Sequence, residues 1–484
     1  MSRTTILYKD IAPGAEEDAA VTTASAMPGS DPSKLPAGVT LPPIISGQWN
    51  AWGLDGTYQP IDGQPIAFWS SQLSGEGCAF ADPPVITVDF DRQYSSTGVT
   101  LIFDPATGDY CPAVSVKWYQ GQTLKAEADF APNASTFFCQ KNVTSYDKVV
   151  ITLIKTGHPY RRARLNRILF GVHRSFGMTE IRKASLINSM DLLSSELPVS
   201  TLKWTLDSRE DVDFMFQLKQ PVEVRNGDSL IGVYYIDGSA RKSASLYDID
   251  CYDAFGVLDE SPFAGGVYSG KSARTLLTEI LGGDFELDCT AADTGLTGAI
   301  LPCTRREAAQ QVLFAWGVCA CTDGTEKVRV FTSPEQPKAI DQDHTFTGAS
   351  VETAAIVTQV RVTAHTYTQD AGGTVEIGGV KYSDTQTVCT VTNPDVTATD
   401  KQNVVEVTGA TLVSPSIAQA AAQRVYDHYA RRNTHKAKIV WSGECLGDCV
   451  TVPNAWGGTV TGNIVRMEVG LSNTVAASCE TVGV

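Results

Sequence analysis

Seven residues in the N-terminal part of the chain carry side chains suited to holding a ligand: Trp52, Tyr58, Trp69, Tyr94, Tyr119, Arg161 and Arg162. Aromatic faces stack on sugar rings, and polar groups take the ring hydroxyls, so the chemistry they offer is carbohydrate binding. Trp52 and Trp69 also read as core aromatics or inter-subunit contacts, since indoles are mostly buried. Arg161, Arg162, Arg164 and Arg167 form the densest cationic run in the chain. They can grip an acidic neighbour, or simply line a solvated strand.

Catalytic constellations are sparse. Asp248, Asp250 and Asp253 lie close together, with Asp248 and Asp250 on one strand face. Paired carboxylates can do acid–base work, but a solvated strand accounts for them as well. There is no GxSxG elbow, no HExxH, and no Gly-rich loop between a strand and a helix. His428 and His435 stand seven apart, not four. Of the twelve cysteines, only Cys319 with Cys321 and Cys445 with Cys449 are close, and neither pair has zinc-knuckle spacing. Reduced thiols, no metal, no cofactor and no enzymatic activity are therefore expected.

Composition bounds the fold. The 484 residues are 43% hydrophobic and 19% charged, which is enough apolar matter for real cores and too little charge for a disordered chain. Forty-one glycines with abundant Thr and Val point to a mainly β protein with a helical minority. The net charge is −16; residues 1–172 hold 13 basic and 16 acidic side chains, so most of the excess lies beyond them. Such a chain is a poor general binder of nucleic acid, though an acidic wall lets DNA slide past without sticking. No apolar run is long enough for a membrane span, and MSRTTILYKDIAPG lacks the apolar core of a signal peptide.

Residues 1–44 read as a loop-rich N-terminal arm. Within residues 45–172, VITVDF, GVTLIF, AVSVKWY and DKVVITLI alternate apolar and polar positions, as strands of a two-sheet β-sandwich do. Val114, Val116 and Trp118 fall on the core face of one, and Val99, Leu101 and Phe103 on that of another. Asn226-Gly227 and Asp237-Gly238 signal hairpin turns in a first small barrel, residues 173–265. A helical segment, residues 266–335, follows. Ser272 caps a helix carrying Leu276, Leu277, Ile280 and Leu281, stopped by Gly282-Gly283. Thr304 and Glu307 form a capping box for a helix burying Ala308, Val312, Ala315 and Trp316. Residues 336–412 are β-rich. Residues 413–484 hold a helix, Ser416–Arg431, with Ile417, Ala420, Ala421, Val425 and His428 together, and then the final barrel strands.

Two family resemblances follow from these segments. VITVDF…GVTLIF…VKWYQGQ…YDKVVITLIKTGHPYRRARLNRILFG resembles a galactose-binding-like (discoidin-type) jelly roll, which implies ligand loops at one end of the sandwich. The remainder is similar to the baseplate or tail-tip hub of bacteriophage tails and contractile injection systems. It is carried by YDIDCYDAFGVLD with SGKSARTLLTEILGG, TRREAAQQVLFAWG, SPSIAQAAAQRVYDHYARR and the ending LGDCVTVPNAWGGTVTGNIVRMEVGLS. That resemblance implies two small β-barrels with interspersed helices, a homotrimer of pseudo-sixfold symmetry, and a place in the virion tail after assembly in the host cytoplasm. Its implied partners are the tail tube and distal tail proteins and a tape measure or tip and spike protein, with DNA passing through unbound and host cell-wall glycan as a further ligand. The rival expectation is a secreted or surface carbohydrate-binding protein in which the discoidin-like module is the working part.

Overall fold

The structure is a computed structural model that describes residues 4–12, 14–39, 67–104, 108–208, 216–227, 229–397, 401–454, 456–471 and 475–483. The fold is mainly β, with five α-helices among the described residues. The chain divides into two compact units. One comprises residues 8–175 with 213–215; the other comprises 1–7, 176–212 and 216–484.

The first unit is built on two long strands, Val85–Ile102 and Thr136–Lys155, paired antiparallel from Val85↔Thr152 to Ile102↔Thr136. VITVDF and GVTLIF, expected as separate strands, are the two ends of the first of these. The polar stretch between them does not turn the chain back. Register shifts between Asp89 and Gly98 absorb it as bulges, which bend a strand without ending it. Gly98 sits at the last shift with φ +151, and a Cβ there would lie 2.2 Å from the Cys139 carbonyl oxygen. Strand Ala113–Gln120 pairs with Thr136–Lys155 and turns into Thr123–Phe130. Ala20–Thr22 and Arg167–Leu169 complete the six-stranded sheet, and Phe68–Trp69 forms a separate ladder with Arg164–Leu165.

Alternation decides what this unit buries. Val114, Val116 and Trp118 are fully buried, as are Val99, Leu101 and Phe103, in one core with Ile86, Val88 and Phe170. Residues 8–39 fold into the same unit: Ala15 and Leu35 are fully buried in that core.

In the second unit, strand Ile181–Ser189 pairs on one side with Thr201–Asp207 and on the other with Thr459–Gly470. The first pairing leads on through Leu246–Tyr252 and Ser229–Arg241 to Pro221–Asn226. The second leads through Ala476–Gly483 to Asn433–Val440 and Ser350–Thr353, with Cys449–Pro453 as a branch. The β segments at the two ends of this unit are thus joined in one hydrogen-bonded path.

Asn226 pairs with Ser229 across a tight turn, and Gly227 adopts φ +60, as the Asn-Gly signal requires. Asp237-Gly238 does not turn the chain. It lies inside strand Ser229–Arg241 as a bulge opposite Leu246–Tyr252, and the chain reverses later, where Lys242 N–H donates to Leu246 O at 2.8 Å.

Local chemistry places the helices. Ser272 accepts from Thr275 N–H to start Ala273–Leu281, and Gly282 ends it at φ +65. Thr304 and Glu307 make both capping-box bonds for Arg305–Trp316. Ala308, Val312 and Ala315 are buried, whereas Trp316 is half-buried. In helix Ala418–Ala430, Ala421 and Val425 are buried and Ile417 and His428 half-buried, but Ala420 is exposed. Ala418 and Ala422 take the inner positions instead. These helices and the inner face of strand Gln359–Gln369 share one core, which includes Leu276, Val312, Val360 and Val425. Strand Gln359–Gln369 forms a long hairpin with Val380–Thr392.

Candidate binding surface

The ladder Phe68–Trp69 with Arg164–Leu165 positions the arginine run. Trp69 pairs with Arg164, so the guanidinium lies 4.2 Å from the centroid of the indole. Arg164 Nη1 donates to Asp104 Oδ2 at 2.8 Å, and both side chains are almost wholly buried. Arg161 pairs with Asp109. Arg162 donates to the carbonyls of Ser70 and Ser71. Arg167 donates to Glu16 Oε1 at 2.5 Å and, through Nε, to Pro36 O at 3.1 Å. The cationic run therefore ties Glu16, Pro36, Ser70, Ser71, Asp104 and Asp109 to the end of this unit. Charge-assisted bonds of this kind fix geometry, and these are made within the unit.

The carbohydrate-binding expectation fares unevenly. Trp52 and Tyr58 lie outside the described residues. Trp69 is 4% exposed and Arg161 4%, so neither offers a face to a sugar ring. Tyr94 is 8% exposed, and its hydroxyl lies 2.9 Å from both the Gly14 carbonyl and the Asp18 carboxylate. Burial, then the hydrogen bond to Asp18, pushes the Tyr94 phenol up. Arg162 is half-buried over backbone carbonyls, and Tyr119 is half-buried, alternating with the core residue Trp118. The structure does not gather the five described residues into one open site. A cavity beside Arg161, Arg162 and Arg164 measures about 10 Å³, room for one water molecule rather than a sugar ring.

The acidic trio separates. Asp248 and Asp250 share the outer face of strand Leu246–Tyr252, while Tyr247, Ile249 and Cys251 face inward. Asp248 accepts from Thr205 Oγ1 at 2.8 Å, and Asp250 lies 3.5 Å from Lys203 Nζ. Asp253 is 1% exposed and caps helix Ala254–Asp259 through Phe255 N–H and Gly256 N–H. Its other oxygen accepts from Ser200 N–H at 3.1 Å and Thr322 Oγ1 at 3.0 Å. Burial pushes its carboxyl up to about 6. A carboxylate holding four donors joins elements and has no free lone pair aimed at a substrate.

The Gly-Asp of the C-terminal ending is a structural corner. Leu446 N–H donates to buried Asp323 Oδ2 at 2.7 Å, and Arg329 Nη2 donates to Leu446 O at 3.0 Å. Gly447 has φ +81, and a Cβ there would meet the Phe331 ring at 2.5 Å. Asp448 pairs with Lys338 at 2.9 Å. The partners Asp104, Asp109, Glu16 and Asp323 carry no local pattern with the groups they meet, which lie 52 to 151 residues away. Among the described residues no group of three or more His, Cys, Asp or Glu could hold a metal ion. No helix among them is long and apolar enough to cross a membrane.

No protein-family profile and no curated protein matches the sequence. Solved structures of tail proteins show loose likenesses. A 43 kDa tail protein of a Shewanella oneidensis prophage aligns at 10% identity and TM-score 0.44, over 64% of this chain and 95% of its own. A tail protein from Neisseria meningitidis aligns at 12% identity and TM-score 0.46, over 64% and 93%. A type VI secretion component from E. coli aligns at 10% identity and TM-score 0.39, over 63% and 74%.

Proposed function

We infer that this chain is a structural protein of a bacteriophage tail, the hub at the distal end of the tail tube. It acts as a homotrimer that joins the hexameric tube to the tip or spike and leaves a passage for DNA. It works in the virion tail and catalyses no reaction. The observation that carries this inference is the order and joining of elements in the second unit. A β segment, capped helices, a β hairpin and a further helix lie between two β segments whose strands meet at Ser185–Ser189 and Arg466–Gly470. The resemblance to tail hubs implies two related barrels in each chain, so that a trimer would present six to a sixfold tube. The acidic balance beyond residue 172 suits a wall past which DNA moves without adhering. The internal use of Asp248, Asp250 and Asp253 supports a mechanical role over an enzymatic one.

Light scattering on the purified full chain tests the inference. A mass three times that of one chain is expected, and a monomer at tens of micromolar would refute it. For DNA passage, exchanging acidic residues of the channel wall for Lys is expected to slow ejection, and unchanged ejection kinetics would contradict that part. Glycan binding by the first unit rests on the half-buried Tyr119 and on residues outside the described set. Failure of the full chain to bind host cell wall would remove it.

A further inference from the structure

The four-stranded sheet of the second unit has one edge that lacks the features which normally close an edge to other chains. Strand Val380–Thr392 pairs with Gln359–Gln369 in one unbroken register, and Val375–Ile377 covers its far side only over Val380–Tyr382. From Ser383 to Thr392 that side meets no other strand among the described residues. A bare edge is a row of N–H and C=O groups that another strand can take up, and proteins usually blunt it with short length, charge, Pro or a bulge. Thr123–Phe130, an edge of the first unit, carries exposed Lys125, Glu127 and Asp129. Ser350–Thr353, an edge in the second unit, is four residues long and carries Glu352. Thr385–Thr392 has no charge, no proline and no bulge, and Val388 on it is 56% exposed.

The other edge of the same sheet is Val404–Val407, which runs parallel to Gln359–Gln369 and pairs with no other strand among the described residues. The two edges match. Val360 lies between Val391 on one side and Val405 on the other, and Val362 lies between Cys389 and Val407. The core-facing side of the sheet therefore ends in a half-buried apolar pair at each rim, Cys389 with Val391 and Val405 with Val407, all packed against the core. One edge strand runs against Gln359–Gln369 and the other runs with it, so the two edges are antiparallel to each other. A second copy turned so as to continue the sheet presents Val404–Val407 to Val380–Thr392 in the antiparallel sense, the more stable pairing.

We propose that Val404–Val407 of one copy adds as a strand to the Thr385–Thr392 edge of the next copy, and that this pairing is one of the contacts joining the trimer. The occupant is extended backbone, since a strand is what takes up a row of edge donors and acceptors. The matching rims favour a second copy over an unrelated strand. Val405 opposite Val391 and Val407 opposite Cys389 is the register that joins the two apolar rims, and a slip of one residue would turn both valines to the outer face. In that register Glu406 stands opposite Thr390, so no like charges face each other. The two edges are different surfaces of one chain, so the contact is heterologous, the kind that generates a ring when the rotation closes. The proposal rests on the trimer inferred above.

The test uses the full chain and its own Cys389. Val407→Cys is expected to form a disulfide with Cys389 of the next copy under mild oxidation. Covalently linked chains then appear on a non-reducing gel, and mass spectrometry finds a linked peptide pair containing positions 407 and 389. Within one copy these positions lie two strands apart, about 9–10 Å, beyond the roughly 7 Å between Cα atoms that a disulfide spans, so the link reports a contact between copies. V407C combined with C389S is expected to lose the link, and Glu406→Cys, on the opposite face, to form none with Cys389. Val388→Lys, at an exposed edge position, is expected to shift the light-scattering mass from three chains towards one with unchanged circular dichroism. If the wild-type chain is trimeric but V407C gives no link to Cys389 and V388K stays trimeric, the strand pairing is refuted and the hub stands. If the wild-type chain is monomeric throughout, both fall together.

Discussion

Replacing Asp253 tests how the second unit is held together. The side chain accepts from Phe255 and Gly256 N–H through one oxygen and from Ser200 N–H and Thr322 hydroxyl through the other. In Asp253→Asn, the amide oxygen can keep the helix cap, since Asn caps as well as Asp. The amide nitrogen then faces the Ser200 N–H, a donor against a donor, which strands one buried group and costs about 1–3 kcal/mol. Asp253→Ala loses the cap as well, about 1 kcal/mol more. Burial raises the carboxyl to about 6 from its ordinary 3.8, so the folded chain holds this proton more tightly than the unfolded one. The stability contributed is fully present below the unfolded value and is lost as pH rises through about 6. The whole shift corresponds to about 3 kcal/mol, and about 1 kcal/mol of it falls between pH 7 and pH 5. Wild type is therefore expected to gain stability over Asp253→Asn on going from pH 7 to pH 5. Hydrogen exchange by mass spectrometry, read on peptides spanning Ser200 and Phe255, follows the opening of this unit without requiring a single global transition. Equal protection in D253N and wild type, or a difference independent of pH, would refute this account of the junction.

Other perturbations have expected outcomes too. Thr304→Ala removes both the capping box and a bond to Asp259 at 3.1 Å, and should cost about 1–2 kcal/mol in the urea-unfolding free energy. Trp118→Ala empties a fully buried site in the first unit, for a loss of about 3–5 kcal/mol measured by the same titration. Asp104→Asn leaves the buried Arg164 guanidinium without its charge partner, an expected loss of about 3–5 kcal/mol, whereas D104L with R164M should recover much of it. Gly98→Ala drives a Cβ into the Cys139 carbonyl and should lower the melting temperature of the first unit by more than Gly108→Ala, where a Cβ meets nothing.

What could be read from residues alone followed the range of the forces involved. Helix starts and stops are set within four residues by caps and left-handed glycines, so Ser272, Thr304, Glu307 and Gly282 were legible. Period-two burial placed Trp118 inside and Tyr119 outside. Strand continuity was not legible, because a polar run such as DRQYSSTG is compatible with a turn or with bulges, and pairing with Thr136–Lys155 decides. Asp237-Gly238 misled for the same reason. In helix Ala418–Ala430, alanines lie on every face, so pattern could not tell exposed Ala420 from buried Ala422. The arginine run looked like an outward surface because its acidic partners are remote in sequence. Its partners turn it inward.

The most direct test of the proposed role is where the protein sits. Gold-labelled antibody against this chain, applied to intact virions and viewed by electron microscopy, is expected to mark the distal end of the tail. Label on the capsid or along the tube, or particles that carry none of this chain, would contradict it.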